Sequence, residues 1–169
     1  EVWRLNDAVF ADQTHPVGSP TFFEMIRMCK PGLVNCIANS DIGFDETIQL
    51  AEVIGPRQAY ALSRWDVDPT GAARHWAHCD SADTWVIFGQ AERIDVPWPM
   101  GTAGVDNRLA WALQQAGYTV TNPSKTIRTF HHHNIAWRSY LNDPSGIARG
   151  GKKIFRVPPP YSMVHPCDL

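Results

Sequence analysis

Three short stretches carry the side chains best suited to chemistry. Asn39-Ser40-Asp41 offers a carboxylate directly after the apolar run Leu33-Val34-Asn35-Cys36-Ile37-Ala38. Gly104-Val105-Asp106-Asn107-Arg108 opens on a glycine and places an acid at a helix start, and Thr129-Phe130-His131-His132-His133, followed by Arg138, concentrates imidazoles. Hard divalent cations take carboxylate oxygens, and Mn²⁺ also accepts imidazole nitrogen, so an acid at a strand end with a distant acid or His is the pattern of a metal site. Such a cation acts as a Lewis acid and stabilises a departing diphosphate. Side chains alternate along an extended segment, so His131 and His133 share a face and can reach one ion. Asp41, His131 and His133 are therefore the candidate ligands for Mn²⁺ or Mg²⁺. Each stretch also has a plainer reading. An Asp after a strand commonly forms a turn or caps a helix, Asp106 is favourable in any first helical turn, and the histidines can be solvated surface groups.

The elements that must hold these residues follow from the apolar spacing. Ser19-Pro20 predicts the cap and first position of a short amphipathic helix through Met28. Residues 33–38 read as a buried strand that runs straight into Asn39-Ser40-Asp41. Asp45 caps a helix with apolar positions Ile48, Ala51 and Ile54, stopped by Gly55-Pro56. The strand Ala59–Ser63 leads into Arg64-Trp65-Asp66, and a stretch of roughly twenty polar residues after it reads as a long loop of the kind usually tied to function. Asp83–Phe88 is a third strand. A helix over Val105, Leu109, Ala112, Leu113 and Ala116 ends at Gly117. Tyr118–Thr121 and Thr126–Phe130 are short strands, residues 134–141 a short helix, and residues 142–169 a Gly/Pro-rich, loosely packed tail behind a core of residues 1–141. Strands alternating with helices predict an α/β fold, a single three-layer domain with a mixed, mostly parallel sheet whose ligands gather beyond the strand C-termini. Asp41, Arg64 and Asp83 follow or flank such ends.

The composition narrows the function classes. Hydrophobic residues make up 44% and charged residues 19%, a core-rich globular composition. The formal charge of -2 leaves no basic excess for a phosphate backbone, so duplex nucleic acid is not an expected partner. An anionic ligand must then be met locally, by Arg64, Arg138 or a metal. The four cysteines, Cys29, Cys36, Cys79 and Cys167, form no C-x-x-C pair and predict free thiols in a reducing, cytoplasmic compartment. No apolar stretch reaches the length of about 18 residues of a membrane span. The first residue is Glu1, which suggests a fragment. Among the tryptophans, Trp85 and Trp111 lie in apolar elements and read as core, whereas Trp65 and Trp98, in loops, are candidates to stack on a sugar or base.

Six blocks in one order carry a family resemblance. They are Ile37-Ala38-Asn39-Ser40-Asp41-Ile42-x-Phe44-Asp45, Ala61-Leu62-Ser63-Arg64-Trp65, Asp83-x-Trp85-x-x-Phe88, Gly101-x-x-Gly104-x-Asp106-Asn107-Arg108, Gly117-Tyr118-x-Val120-x-Asn122-Pro123-Ser124, and His131-x-His133 with Arg138. Over roughly residues 20–140 the chain resembles a group of glycosyltransferase-like proteins of the GT-A, nucleotide-diphospho-sugar transferase type. The resemblance implies a GT-A-like fold in a truncated form, because the first strand-helix unit has no counterpart before residue 20. It also implies transfer of a sugar from a nucleotide-diphosphate donor to an acceptor that the motifs do not identify. The metal-holding acid falls on Asp41, the base on Asp106, and the completing ligand on His131 or His133, with Asn39, Asp41, Arg64, Asp83 and Arg138 around the donor. The triplet here is Asn-Ser-Asp where the family pattern is Asp-x-Asp, so one carboxylate is missing. Two other readings use the same residues: a metal-dependent phosphoesterase, and a non-catalytic sugar- or nucleotide-binding module.

Overall fold

A computed structural model describes residues 20–132 and 156–169. Continuous apolar runs build its first sheet. Strands β1 (Val34–Ala38), β3 (Gln58–Leu62), β6 (Thr84–Phe88) and β7 (Thr119–Thr121) pair in the order β1-β6-β3-β7. Alternate side chains leave this sheet in opposite directions. Ala59, Ala61, Trp85 and Ile87 join one core with Phe22, Leu109 and Leu113, while Tyr60, Leu62 and Val86 join another with Ile48, Ala51 and Ile127. Burial on both faces explains why these strands lack an apolar/polar alternation.

The first core is roofed by α1 (Phe22–Met28) and α2 (Val105–Gln115), and the second by a 3₁₀ helix, Glu46–Val53. The Asp45 carboxylate accepts from the Thr47 amide at 3.0 Å and caps that 3₁₀ helix. The cap of α1 is Thr21, not the expected Ser19: its Oγ1 accepts from the Glu24 amide, and the Glu24 carboxylate accepts from the Thr21 amide at 2.8 Å. This reciprocal box satisfies two helix-end donors. Thr21→Ala should accordingly lower stability by about 1 kcal/mol, seen as a reduced urea midpoint with an unchanged slope.

A second sheet, in the order β2-β8-β4-β5, is assembled from short strands β2 (Ile42–Phe44), β4 (Trp65–Val67), β5 (Ala73–His75) and β8 (Thr129–His132). Part of the stretch expected as a long loop is thus a hairpin. Its turn is held by Asp68, whose carboxylate accepts from the Thr70 and Ala72 amides at 2.8 and 3.1 Å, with Gly71 at φ +86°, a conformation glycine adopts without steric cost.

This arrangement overturns the expected single three-layer α/β domain with a mostly parallel, GT-A-like sheet. The described chain is mostly β, in two four-stranded mixed sheets with only three short helices. β6 lies between β1 and β3 and is antiparallel to both. The β3–β7 and β4–β8 pairs are the parallel ones. The expectation failed because a strand buried on both faces has the same apolar run whichever way its neighbour points. β1 is also a sheet edge.

Residues 156–169 lie against the core instead of trailing from it. Val157 is fully buried, and its amide donates to the Ala103 carbonyl at 2.9 Å. The Ser162 and Cys167 amides donate to Asn107 and Asn122 carbonyls. The short helix expected over 134–141 falls outside the described residues. Among the described residues, no helix is long and apolar enough to cross a membrane.

Candidate functional site

Register in the second sheet assembles the site. β8 runs between β2 and β4, so His131 stands opposite Ile42 on one side and Asp66 on the other. Asp41, one residue ahead of β2, is fastened to the same strand by the His132 amide, which donates to the Asp41 carbonyl at 3.2 Å. As a result His131 Nε2 lies 2.8 Å from Asp41 Oδ2, and His131 Nδ1 lies 3.4 Å from Asp66 Oδ1. The imidazole is mostly covered, at 13% side-chain exposure, whereas Asp41 is open at 52%. An imidazole is therefore clamped between two carboxylates, and only the outer one faces solvent.

Behind Asp66 the polar chain continues inward. Arg64 and Asp66 are two residues apart in an extended segment and share a face. The Arg64 Nε donates to Asp66 Oδ1 at 2.7 Å, and its other arm donates to Asp83 Oδ2 at 2.9 Å. Asn39 Nδ2 donates to the remaining Asp83 oxygen at 2.9 Å, and the Asn39 amide donates to the Asp83 carbonyl. Burial pulls the Arg64 guanidinium toward its neutral form, but the Asp83 and Asp66 charges outweigh it and hold the pKa above the ordinary value. Arg64 is thus occupied by two carboxylates. Asn39, Asp41, Arg64, Asp83 and His131, which lie far apart in the chain, form one connected network that includes Asp66.

Asp106 stands in the first turn of α2, which begins at Gly104 with φ +82°. A side chain at that glycine would press on Arg156 and Tyr161 of the C-terminal segment. The Asp106 Oδ1, the Trp85 indole Nε1 and the Asn107 Nδ2 are fully covered, and among the described residues none of the three closes a hydrogen bond of good geometry, although the indole lies near enough to the carboxyl to influence it. Asp106, Trp85 and Asn107 line one cavity of about 10 Å³ together with Ala82, Asn122 and Val164, room for about one water. Burial pushes the Asp106 carboxyl up to about 8, and the nearby Asp83 charge adds to this; the Ala82 amide, the Trp85 indole and the Arg64 charge oppose it. A carboxyl tuned this close to neutral pH is the kind of group that moves protons in active sites.

His133 and Arg138, named from the sequence as metal ligand and donor-binding residue, lie outside the described residues. Among the described residues no group of three or more His, Cys, Asp or Glu side chains converges on one point. Asp41 and His131 form a pair, not a cage. Trp65 stacks on His75 with centroids 5.0 Å apart and donates from Nε1 to the Ser124 carbonyl at 2.9 Å, and Trp98 packs against the main core. Sequence reasoning missed Asp66 as a member of the site and Trp76 as an aromatic beside it. The alternation Arg64-Trp65-Asp66 was the signal for Asp66; Trp76 had none, because it lies in a stretch read as loop. No known protein family, curated protein or solved structure matches the chain, so its function has to be argued from these residues and their geometry alone.

Proposed function

We propose that the protein transfers a sugar from a nucleotide-diphosphate donor with the help of Mn²⁺ or Mg²⁺ held by Asp41 and His131. One observation carries the reading: the 2.8 Å separation of Asp41 Oδ2 and His131 Nε2. The contact is a direct hydrogen bond, and it sets a carboxylate oxygen and an imidazole nitrogen side by side at the solvent edge, the donor types that would hold such a cation once it displaced the shared proton. Carboxylate oxygen plus imidazole suits Mn²⁺ in particular. The far nitrogen of His131 faces Asp66, the outer carboxylate that orients metal-binding histidines. Asp41 and His131 would be the residues that hold the ion. When bound there, such a cation would supply charge stabilisation for the departing diphosphate.

The chain's own residues divide the remaining work. Asp66 orients His131, and Arg64 holds Asp66 and Asp83 in place. Asn39 fixes the other side of Asp83 and so the turn that presents Asp41. Asp106 is the candidate base, and the water-sized cavity it lines would have to relay the acceptor hydroxyl's proton to it. Four free cysteines fit a reducing, cytoplasmic setting; burial raises the Cys29 and Cys36 thiols to about 11 and 12, so both stay protonated.

Calorimetric titration of nucleoside diphosphates with and without Mn²⁺ tests the reading. Metal-dependent binding is the expected result, binding indifferent to metal refutes it, and hydrolysis of a simple phosphodiester would select a phosphoesterase instead. Asp66→Asn should weaken Mn²⁺ affinity about 10- to 100-fold, the usual cost of losing a ligand's outer partner. Electron paramagnetic resonance of free Mn²⁺ would measure it.

A further inference from the structure

The second sheet carries a cleft that the reading above does not use. It has a volume of about 300 Å³ and is walled by Asp66, Arg74, His75, Trp76, Ala77 and His78, enough room for a small organic ligand. Asp66 belongs both to this wall and to the His131 contact, so the cleft lies one side chain from the Asp41–His131 pair. Its backbone is well anchored: β5 pairs with β4 with Arg74 opposite Asp66, and the Trp76 amide donates to the Arg64 carbonyl at 2.9 Å. Trp76 is half-buried, with the Arg64 guanidinium 5.1 Å from its ring centre and the His78 ring 4.4 Å away. Arg74 is exposed, and its side chain has no hydrogen bond or ion pair among the described residues.

We propose that this cleft is the acceptor subsite and takes a neutral saccharide. The inference rests on the sugar-transfer reading for the word acceptor, but the binding itself does not. A sugar ring has apolar C–H faces and a hydroxyl edge. The Trp76–His78 pair presents an aromatic surface to the former, and around it Arg74 supplies donors and Asp66 acceptors for the latter. The wall's carboxylate, Asp66, is matched by Arg64 at 2.7 Å, so the choice of a saccharide rests on the aromatic surface and the mixed donors and acceptors, and the nucleoside-diphosphate arm of the test separates it from an anion.

Saturation-transfer NMR with methyl glycosides of glucose, galactose, mannose and N-acetylglucosamine provides the test. At least one glycoside should receive saturation at its ring protons, Trp76→Ala and Arg74→Ala should each weaken it about tenfold or more, and Trp76→Phe should retain it. Mn²⁺-dependent nucleoside-diphosphate binding should be unchanged in all three variants. The proposal is overturned if no glycoside is saturated, or if saturation survives in Arg74→Ala and in a folded Trp76→Ala. It is equally overturned if the variants lose nucleoside-diphosphate binding, which would assign the cleft to the donor. Glycoside binding at this cleft in a protein that shows no metal-dependent nucleotide binding would leave the subsite standing and remove the transfer reading.

Discussion

Asp106→Asn is expected to keep donor binding and to reduce turnover about 10²- to 10⁴-fold, the range that general-base catalysis contributes. The carboxyl is held at about 8 by burial and by Asp83, so the unmutated protein should show a rate that rises with pH up to that value, and the variant should lose this limb. Stability should change in the opposite sense. With a folded-state pKa above the ordinary 3.8, the unfolded chain releases this proton first as pH rises, so the native state binds more protons between 3.8 and about 8. Stability contributed by this group is therefore complete below that window, falls through it, and levels off above it. Asp106→Asn carries no titrating proton, so its stability curve should be flatter across the window. Turnover within about threefold of the unmutated protein, far less than base removal implies, would show that Asp106 serves α2 and its cavity and not the reaction. Chemical denaturation at several pH values checks the raised carboxyl independently of turnover, because the stability change is expected in either case.

Asp41→Asn should weaken Mn²⁺-dependent nucleotide binding by about 100-fold or more, since even an outer partner of a ligand costs about 10- to 100-fold. An amide keeps the shape and removes the charge a hard cation requires. The melting temperature should barely move. The side chain is 52% exposed, and its contact with His131 is a pair at the solvent edge, worth under about 1 kcal/mol. Calorimetry and a thermal melt of the same preparation decide between the alternatives. A large loss of stability with binding intact would make Asp41 a structural clamp on β8. Loss of both would leave the metal reading to Asp66→Asn, whose affinity effect does not require disturbing the β2 edge.

The element types were mostly legible in the sequence, as were five of the six residues of the polar network, Asp66 being the one missed. Val34–Ala38, Gln58–Leu62 and Thr84–Phe88 formed strands close to where their apolar runs predicted them, and α2 stopped before Gly117 at φ +84°, because local spacing and glycine chemistry act within a few residues. Asn39, Asp41, Arg64, Asp83 and His131 were chosen for residue type and strand-end position, and those features are local too.

Strand direction and the second sheet were decided only in three dimensions. The insertion of β6 antiparallel between β1 and β3 leaves no mark on an apolar run that is buried on both faces. β2, β4, β5 and β8 are too short to carry a two-residue period, and their pairing is what sets His131 between Asp41 and Asp66. The exposed charge on Asp41, the occupied guanidinium of Arg64 and the raised carboxyl of Asp106 share one cause. Each depends on which distant groups the fold places beside it and on how much water it leaves there, whereas the sequence by itself determined which side chains were present to be so placed.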